Sequence, residues 1–411
     1  MKDRNEPKKE MAKKWKREDI TFLLRMVLPV VIALILYLTA WVSPGFCDWY
    51  SRYIFPIWGS TYGRITELLP FSLGELLLYL GVLLLLIGLI WGIASAVLRI
   101  VCRGRTPGIS AYVIYLKTLG QIISAVLLIM VLNCFILYHC PTFGERYPAF
   151  YEGTSPDAYE TARRVILLHD YMTGEANELA KVIHRDEKGQ AICEIDMEEE
   201  AIRDMKSLGE RYDLLQGFYP RPKRLLWSSF FSQQSIMGYY FPFSMEANYN
   251  ALMQPCHMPV TMCHELSHLK GFIYEDEANL IGYLACMESE EPFFRYSAYL
   301  SVLGYLQRDY DKVMEALEHE DESVRKDLEA LTDHAEMTDL VKYDRAFLTA
   351  EAWAQVKKHS PFSTKTVSKA ADAFLNANLK WNGIADGTIS YSRVVDWLLI
   401  YYEKEGLFVN P

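Results

Sequence analysis

The chain has 411 residues, enough for one large domain or two ordinary ones, and 51% of it is hydrophobic, with the excess concentrated before residue 140. Its formal net charge is −10, from 42 Lys/Arg against 52 Asp/Glu. That balance, with no glycine loop built to cradle phosphate and no basic-aromatic patch, argues against a nucleic-acid partner.

Residues 1–20 carry eight Lys/Arg against five Asp/Glu and no apolar periodicity, which reads as a basic cytosolic tail rather than a folded unit. Three apolar runs follow, Met26–Val42, Leu76–Leu98 and Leu119–Tyr138, each charge-free and near the length that crosses a hydrocarbon core of roughly 30 Å. Buried core helices are the other reading, and runs this long without charge oppose it. They predict transmembrane helices at about 22–43, 74–99 and 119–138. Ser72-Leu73-Gly74-Glu75 reads as a capping box opening the second. The first run makes a poor signal peptide, because its charged leader is long and no small-x-small site precedes Pro44.

Lys and Arg also set an orientation. The tail is basic and the second loop carries Arg99, Arg103, Arg105 and Lys117, whereas the first loop has only Arg52 and Arg64. Tail and second loop are therefore expected in the cytosol, and residues 140–411 outside it as one domain. That part holds 27 Lys/Arg against 44 Asp/Glu, a net charge of −17, which opposes tight adhesion to anionic lipid.

Beyond the spans, periodicity predicts helices over Tyr159–His184 and Glu198–Tyr212. Lys223-Arg224 reads as a solvated pair, with contact to lipid headgroups as the alternative. Gly238–Asn250, with Tyr239-Tyr240-Phe241 and Ala247-Asn248-Tyr249 around Pro242 and Ser244, reads as a small hairpin or edge strand. The eight cysteines include no C-x-x-C pair; disulfides are permitted outside the cytosol, but the sequence does not pair them. Cys263 reads as a packed, unreactive thiol.

Next comes Cys263-His264-Glu265-Leu266-Ser267-His268, an H-E-x-x-H motif. Pro259 suits a first helical turn and Gly271 a left-handed C-terminal position, so the motif is expected on a short helix. Residues at i and i+4 differ by only about 40° in azimuth, so both imidazoles face one point, as Zn²⁺ requires. Glu265, about 100° round from His264, is placed to act as a general base on water rather than as a ligand. Two histidines so spaced can also be a plain polar face; the acidic Glu275-Asp276-Glu277-Ala278-Asn279 just downstream favours the metal. Glu275 is preferred over Glu277 as third ligand, because Asn279 lies four positions on and can accept an imidazole N–H, whereas Glu277 has Ile281 there. Asp276 is expected to be solvated, and small Ala278 to let the two helices approach.

Leu280–Met287, Tyr296–Leu306, the highly charged Asp309–Glu336, Lys365–Asn378 and Tyr391–Glu403 are all expected to be helical. Ser390-Tyr391-Ser392-Arg393 opens the last of them. There Tyr391 or Arg393 could stabilise an oxyanion opposite the metal, or simply cap and pack the helix start.

His264-Glu265-Leu266-Ser267-His268 with Glu275-Asp276-Glu277-Ala278-Asn279 resembles the gluzincin metallopeptidases, most closely membrane members such as the heat-shock and prenyl-protein endopeptidases. The resemblance implies His264, His268 and Glu275 as zinc ligands, Glu265 as catalytic base, Asn279 behind a histidine, and Glu246, Ala247 and Asn248 as an edge strand taking substrate backbone. Asn279 stands where the pattern has Asp, and the gap from His268 to Glu275 is shorter than usual. The whole layout also resembles an uncharacterised bacterial family of membrane proteins assigned to a domain of unknown function.

The expected fold is mainly α: three N-terminal transmembrane helices, then a mostly helical zincin-like domain with a small β-sheet. The expected function is zinc-dependent hydrolysis of a peptide or protein substrate by a protein of the bacterial cell membrane. A metal-binding sensor or assembly protein without turnover, and a metal-free scaffold, are the rivals.

Overall fold

The computed structural model describes residues 6–101, 108–151, 156–331, 336–358, 360, 363–384 and 393–408. The near-absence of charge in three stretches produces its longest apolar helices: α1 (Glu6–Val42), α3 (Leu73–Val101) and α4 (Ile109–Met130), the last continuing through a π turn and a 3₁₀ turn to His139. Over Ile20–Val42, Leu73–Val101 and Ile109–His139 each is long and apolar enough to cross a membrane. Two boundaries differ from those expected. Helix α1 runs back through the charged tail to Glu6, whose Lys, Glu, Ala and Met are good helix formers without any apolar face. Helix α4 begins at Ile109, earlier than its apolar run, because Tyr112 and Tyr115 give their hydroxyl protons to the Gly88 and Leu84 carbonyls of α3.

Between the first two spans lies α2 (Phe55–Glu67), which turns Phe55, Gly59, Gly63 and Thr66 inward. Downstream, α5 (Ala158–Val182) packs on α9 (Pro292–Leu317), and α6 (Met197–Arg211) packs on both α7 (Met258–His268) and α8 (Glu275–Glu288). Helices α10 (Thr364–Trp381) and α11 (Val394–Lys404) follow, the second burying Val394, Val395, Leu398 and Tyr402. Most of the predicted helices therefore form, with ends shifted by a few residues. The charged stretch after Asp309 is divided between the end of α9 and a helix at Glu322–Glu329; residues 332–335 lie outside the described part.

The sheet has three strands in the order β1 (Lys223–Arg224), β3 (Glu246–Tyr249), β2 (Gly238–Phe241). Strand β3 pairs parallel with β1 and antiparallel with β2, Tyr239 opposite Asn248. Glu246–Asn248 thus lies on the central strand, not an edge, paired along its length with β2 and with β1 from Asn248 onward.

Long-range polar contacts explain that placement. The Glu246 carboxylate accepts Leu73 N–H at 3.1 Å and Gly74 N–H at 2.7 Å, where the start of α3 leaves its amides unpaired. Lys223 meets Glu246 at 2.6 Å and donates to the Thr66 carbonyl, so it is a buried ion pair rather than a solvated residue. Ser72 caps α3 through Glu75 N–H as expected, but the Glu75 carboxylate does not close the box. It accepts Leu226 and Trp227 N–H instead. A side chain on Gly74 would lie 2.5 Å from the Phe241 ring, so the sheet rests directly on the end of the span. One apolar cluster accordingly joins Ala33, Ala40 and Val131 of the spans to Leu266, Phe272 and Leu398. Among the described residues no cysteine forms a disulfide, and Cys263 is fully buried.

Candidate metal centre

Helix α7 carries Pro259 in its first turn and ends in two bonds that need the left-handed Gly271 (φ 90°): Phe272 N–H to the Ser267 carbonyl at 3.3 Å and Gly271 N–H to the His268 carbonyl at 3.0 Å. This turn returns the Phe272 carbonyl beneath the last histidine. His268 Nδ1 lies 2.7 Å from that oxygen, which makes Nδ1 the protonated nitrogen and leaves Nε2 as a lone-pair donor. The His264 and His268 rings stand 4.8 Å apart, nearly perpendicular.

Helix α8 crosses α7 closely at Gly282, where a side chain would meet the Val260 carbonyl at 3.0 Å and His264 N at 3.2 Å. Ala278 is buried as expected, but Gly282, one turn on, is the point of closest approach. The crossing brings Glu275 Oε2 to 3.1 Å from His264 Nε2 and 3.9 Å from His268 Nε2. One donor atom from each of the three residues lies within 4.8 Å of the others, the only such group of three among the described residues. Asn279 hydrogen-bonds the His264 ring, and its Nδ2 is left without a partner, so the oxygen faces the imidazole.

Glu277 points the other way. It accepts Phe143 N–H at 2.5 Å, and burial pushes its carboxyl up to about 8. Asp276 is not solvated: Trp397 Nε1 donates to it at 3.3 Å, and burial raises its pKa. Arg393 is exposed at the start of α11, and its charge acts on Asp276 and Asp396 rather than on the histidines. Tyr391 lies outside the described residues.

Burial lowers the His268 imidazole to about 4, so it is neutral at physiological pH. Burial also opposes the charge on His264, but Glu275 outweighs it and raises that pKa. Glu265 is buried, its Oε2 has no hydrogen-bond partner, and desolvation pushes it up to about 8, His264 opposing and Glu275 adding to the shift.

Two neighbours of the site carried no signal in the motif. Gly238 of β2 lies against Glu265, where a side chain would come within 2.4 Å of Oε1. Part of the Tyr239 ring is exposed, but desolvation, with Glu265 and Glu275 among its neighbours, pushes its phenol up to about 12. The period-two aromatic run pointed to a strand, but only the fold shows that this strand overlies the base.

The H-E-x-x-H helix thus holds two imidazoles with nitrogens aimed at one carboxylate, beside a buried second carboxyl. The chain belongs to the family described as "Protein of unknown function (DUF3810)", whose model matches residues 50–399. No curated protein and no solved structure matches it.

Proposed function

We propose that this protein is a membrane-bound zinc peptidase whose ligands are His264, His268 and Glu275 and whose general base is Glu265. The observation that carries the reading is the convergence of those three donors within 4.8 Å, beside a buried carboxyl oxygen that has no hydrogen-bond partner among the described residues. The donor set suits zinc: two imidazoles, one oriented by the Phe272 carbonyl and the other by Asn279, and one carboxylate. His264 and Glu275 each remain partly exposed, which leaves an approach for water and substrate. This is also the ligand pattern of the gluzincins that the motif resembles.

Zinc, when bound, would supply the Lewis acidity that makes water and a peptide carbonyl reactive near neutral pH. Beside a bound dication the Glu265 carboxyl would come back down from about 8, so that it takes the proton from the attacking water and returns it to the leaving amine. Beside the expected oxyanion role of Tyr391 and Arg393, Tyr239 is a further candidate, since its phenol keeps its proton at neutral pH and feels the charges of Glu265 and Glu275. The strand-addition role expected of Glu246–Asn248 passes to β2, the edge strand whose Gly238 lies directly against the base. By the Lys/Arg bias, the site faces the extracytoplasmic side.

The test is zinc stoichiometry of the full chain alongside cleavage of a quenched peptide library. Glu265→Gln should keep the zinc and lose about 10²–10⁴-fold in rate, and His268→Ala should lose the metal. Zinc bound in both wild type and Glu265→Gln, with cleavage by neither, would favour the sensor; equal cleavage by both would remove Glu265 from the mechanism.

A further inference from the structure

We propose that this protein carries a second membrane-contacting surface besides its three spans: the outward face of α2 together with Leu226 and Trp227, lying in the interfacial layer of the leaflet that holds the loop between the first two spans. Connectivity places α2 there, since it joins the upper end of α1 to the upper end of α3. Its surface is divided three ways. Phe55, Gly59, Gly63 and Thr66 face the protein, and a side chain on Gly59 would lie 3.8 Å from the carbonyl of Leu269, the residue after His268. Ser60, Arg64 and Glu67 form a polar flank. Opposite the buried stripe, Ile57, Trp58, Ile65 and Leu68 are exposed, Ile65 by 63% and Leu68 by 82%.

A helix in water seldom shows an apolar stripe opposite its buried one, whereas a helix lying in the plane of a bilayer has one side for protein, one for acyl chains and one for headgroups. A separate part of the chain reaches the same level. Leu226 and Trp227 are exposed, and their amides are fixed on Glu75 at the start of α3. The Trp227 ring packs against Tyr79, one turn further into the span, at 5.9 Å. Tryptophan and tyrosine at the end of an apolar span mark the boundary between headgroups and hydrocarbon. The occupant is therefore lipid, continuous with that around the spans, and the metal centre is held within a helix diameter or two of the membrane surface.

The test uses the full chain in phosphatidylethanolamine/phosphatidylglycerol nanodiscs. Single nitroxide labels are placed at Ile57→Cys and Leu226→Cys, in a background with Cys102→Ser and Cys193→Ser; the other six cysteines are buried. Leu83→Cys on α3 gives the lipid reference, and Val182→Cys, as exposed as Leu226 at 60%, gives the water reference. Ile65→Cys replaces Ile57→Cys if the latter fails to fold. The ratio of oxygen to nickel-chelate accessibility at 57 and 226 should exceed that at 182 several-fold and lie below that at 83, as at the boundary between headgroups and hydrocarbon. A water-like ratio at either position overturns the proposal. Spin–spin broadening that disappears on dilution with unlabelled chain also overturns it, because a second copy would then cover the face.

Discussion

Glu275 and Glu277 stand about 200° apart around one helix, and only Glu275 meets the imidazoles. Replacing each with alanine should give two different losses. Glu275→Ala should empty the metal site with little change in thermal stability of the metal-free protein. Glu277→Ala should keep the metal but strand the buried Phe143 N–H, costing about 1–3 kcal/mol. Zinc stoichiometry and thermal unfolding of the two variants would distinguish these, and the reverse ranking would mean that α8 presents its other face. The relation of Glu275 to Asn279 is legible in the sequence because both sit on one helix, four positions apart. The fate of Glu277 is not, because its partner lies 134 positions away.

Helix α7 shows the same contrast at the level of an element. Its start and stop are local signals, Pro259 and Gly271, and both are readable. What the stop accomplishes is not readable: the left-handed turn aims the Phe272 carbonyl at His268. Gly271→Ala should strain that turn by about 1 kcal/mol and, by loosening the carbonyl, weaken zinc binding by about tenfold, measured by competition with a chromogenic chelator. Unchanged affinity would show that His268 is oriented without Phe272. The hairpin within Gly238–Asn250 forms as its alternation predicts, but Glu246 lies on the central strand, where its carboxylate seals the start of α3, a contact that alternation cannot encode. Between α6 and α8, burial and then the nearby Glu200 push Asp204 up to about 8, from 3.8. Between about pH 4 and 8 the folded state therefore holds a proton that the unfolded chain has released. Stability should fall as pH rises through that window and level off above it. Asp204→Asn should flatten the fall in Tm, and a variant with the wild-type slope would remove Asp204 as its cause.

For the whole molecule, the spans and the part that holds the candidate metal centre share one apolar core. The sequence divides them at residue 140, where apolar runs give way to charge, and that boundary in composition is real. Packing does not respect it. Gly59 of α2 faces the residue after α7, the Glu246 carboxylate ties the central strand to the start of α3 while the Glu75 carboxylate there holds the residues after β1, and Asn133 of the π turn donates to the Pro242 carbonyl at 2.8 Å. Cutting at 140 would leave the Glu246–Lys223 pair without the Leu73 and Gly74 amides and the Thr66 carbonyl, and breaking up a buried charged network of this kind typically costs about 3–5 kcal/mol. It would also expose the apolar surface that α2 and the π turn cover, so the loss should consume much of an ordinary domain's stability of about 5–15 kcal/mol. Residues 140–411 expressed alone should therefore show no cooperative unfolding transition and no stoichiometric zinc, whereas the full chain in detergent shows both. A soluble fragment that melts cooperatively and binds one zinc would instead mean that the spans are only an anchor, and that the site is assembled by its own helices.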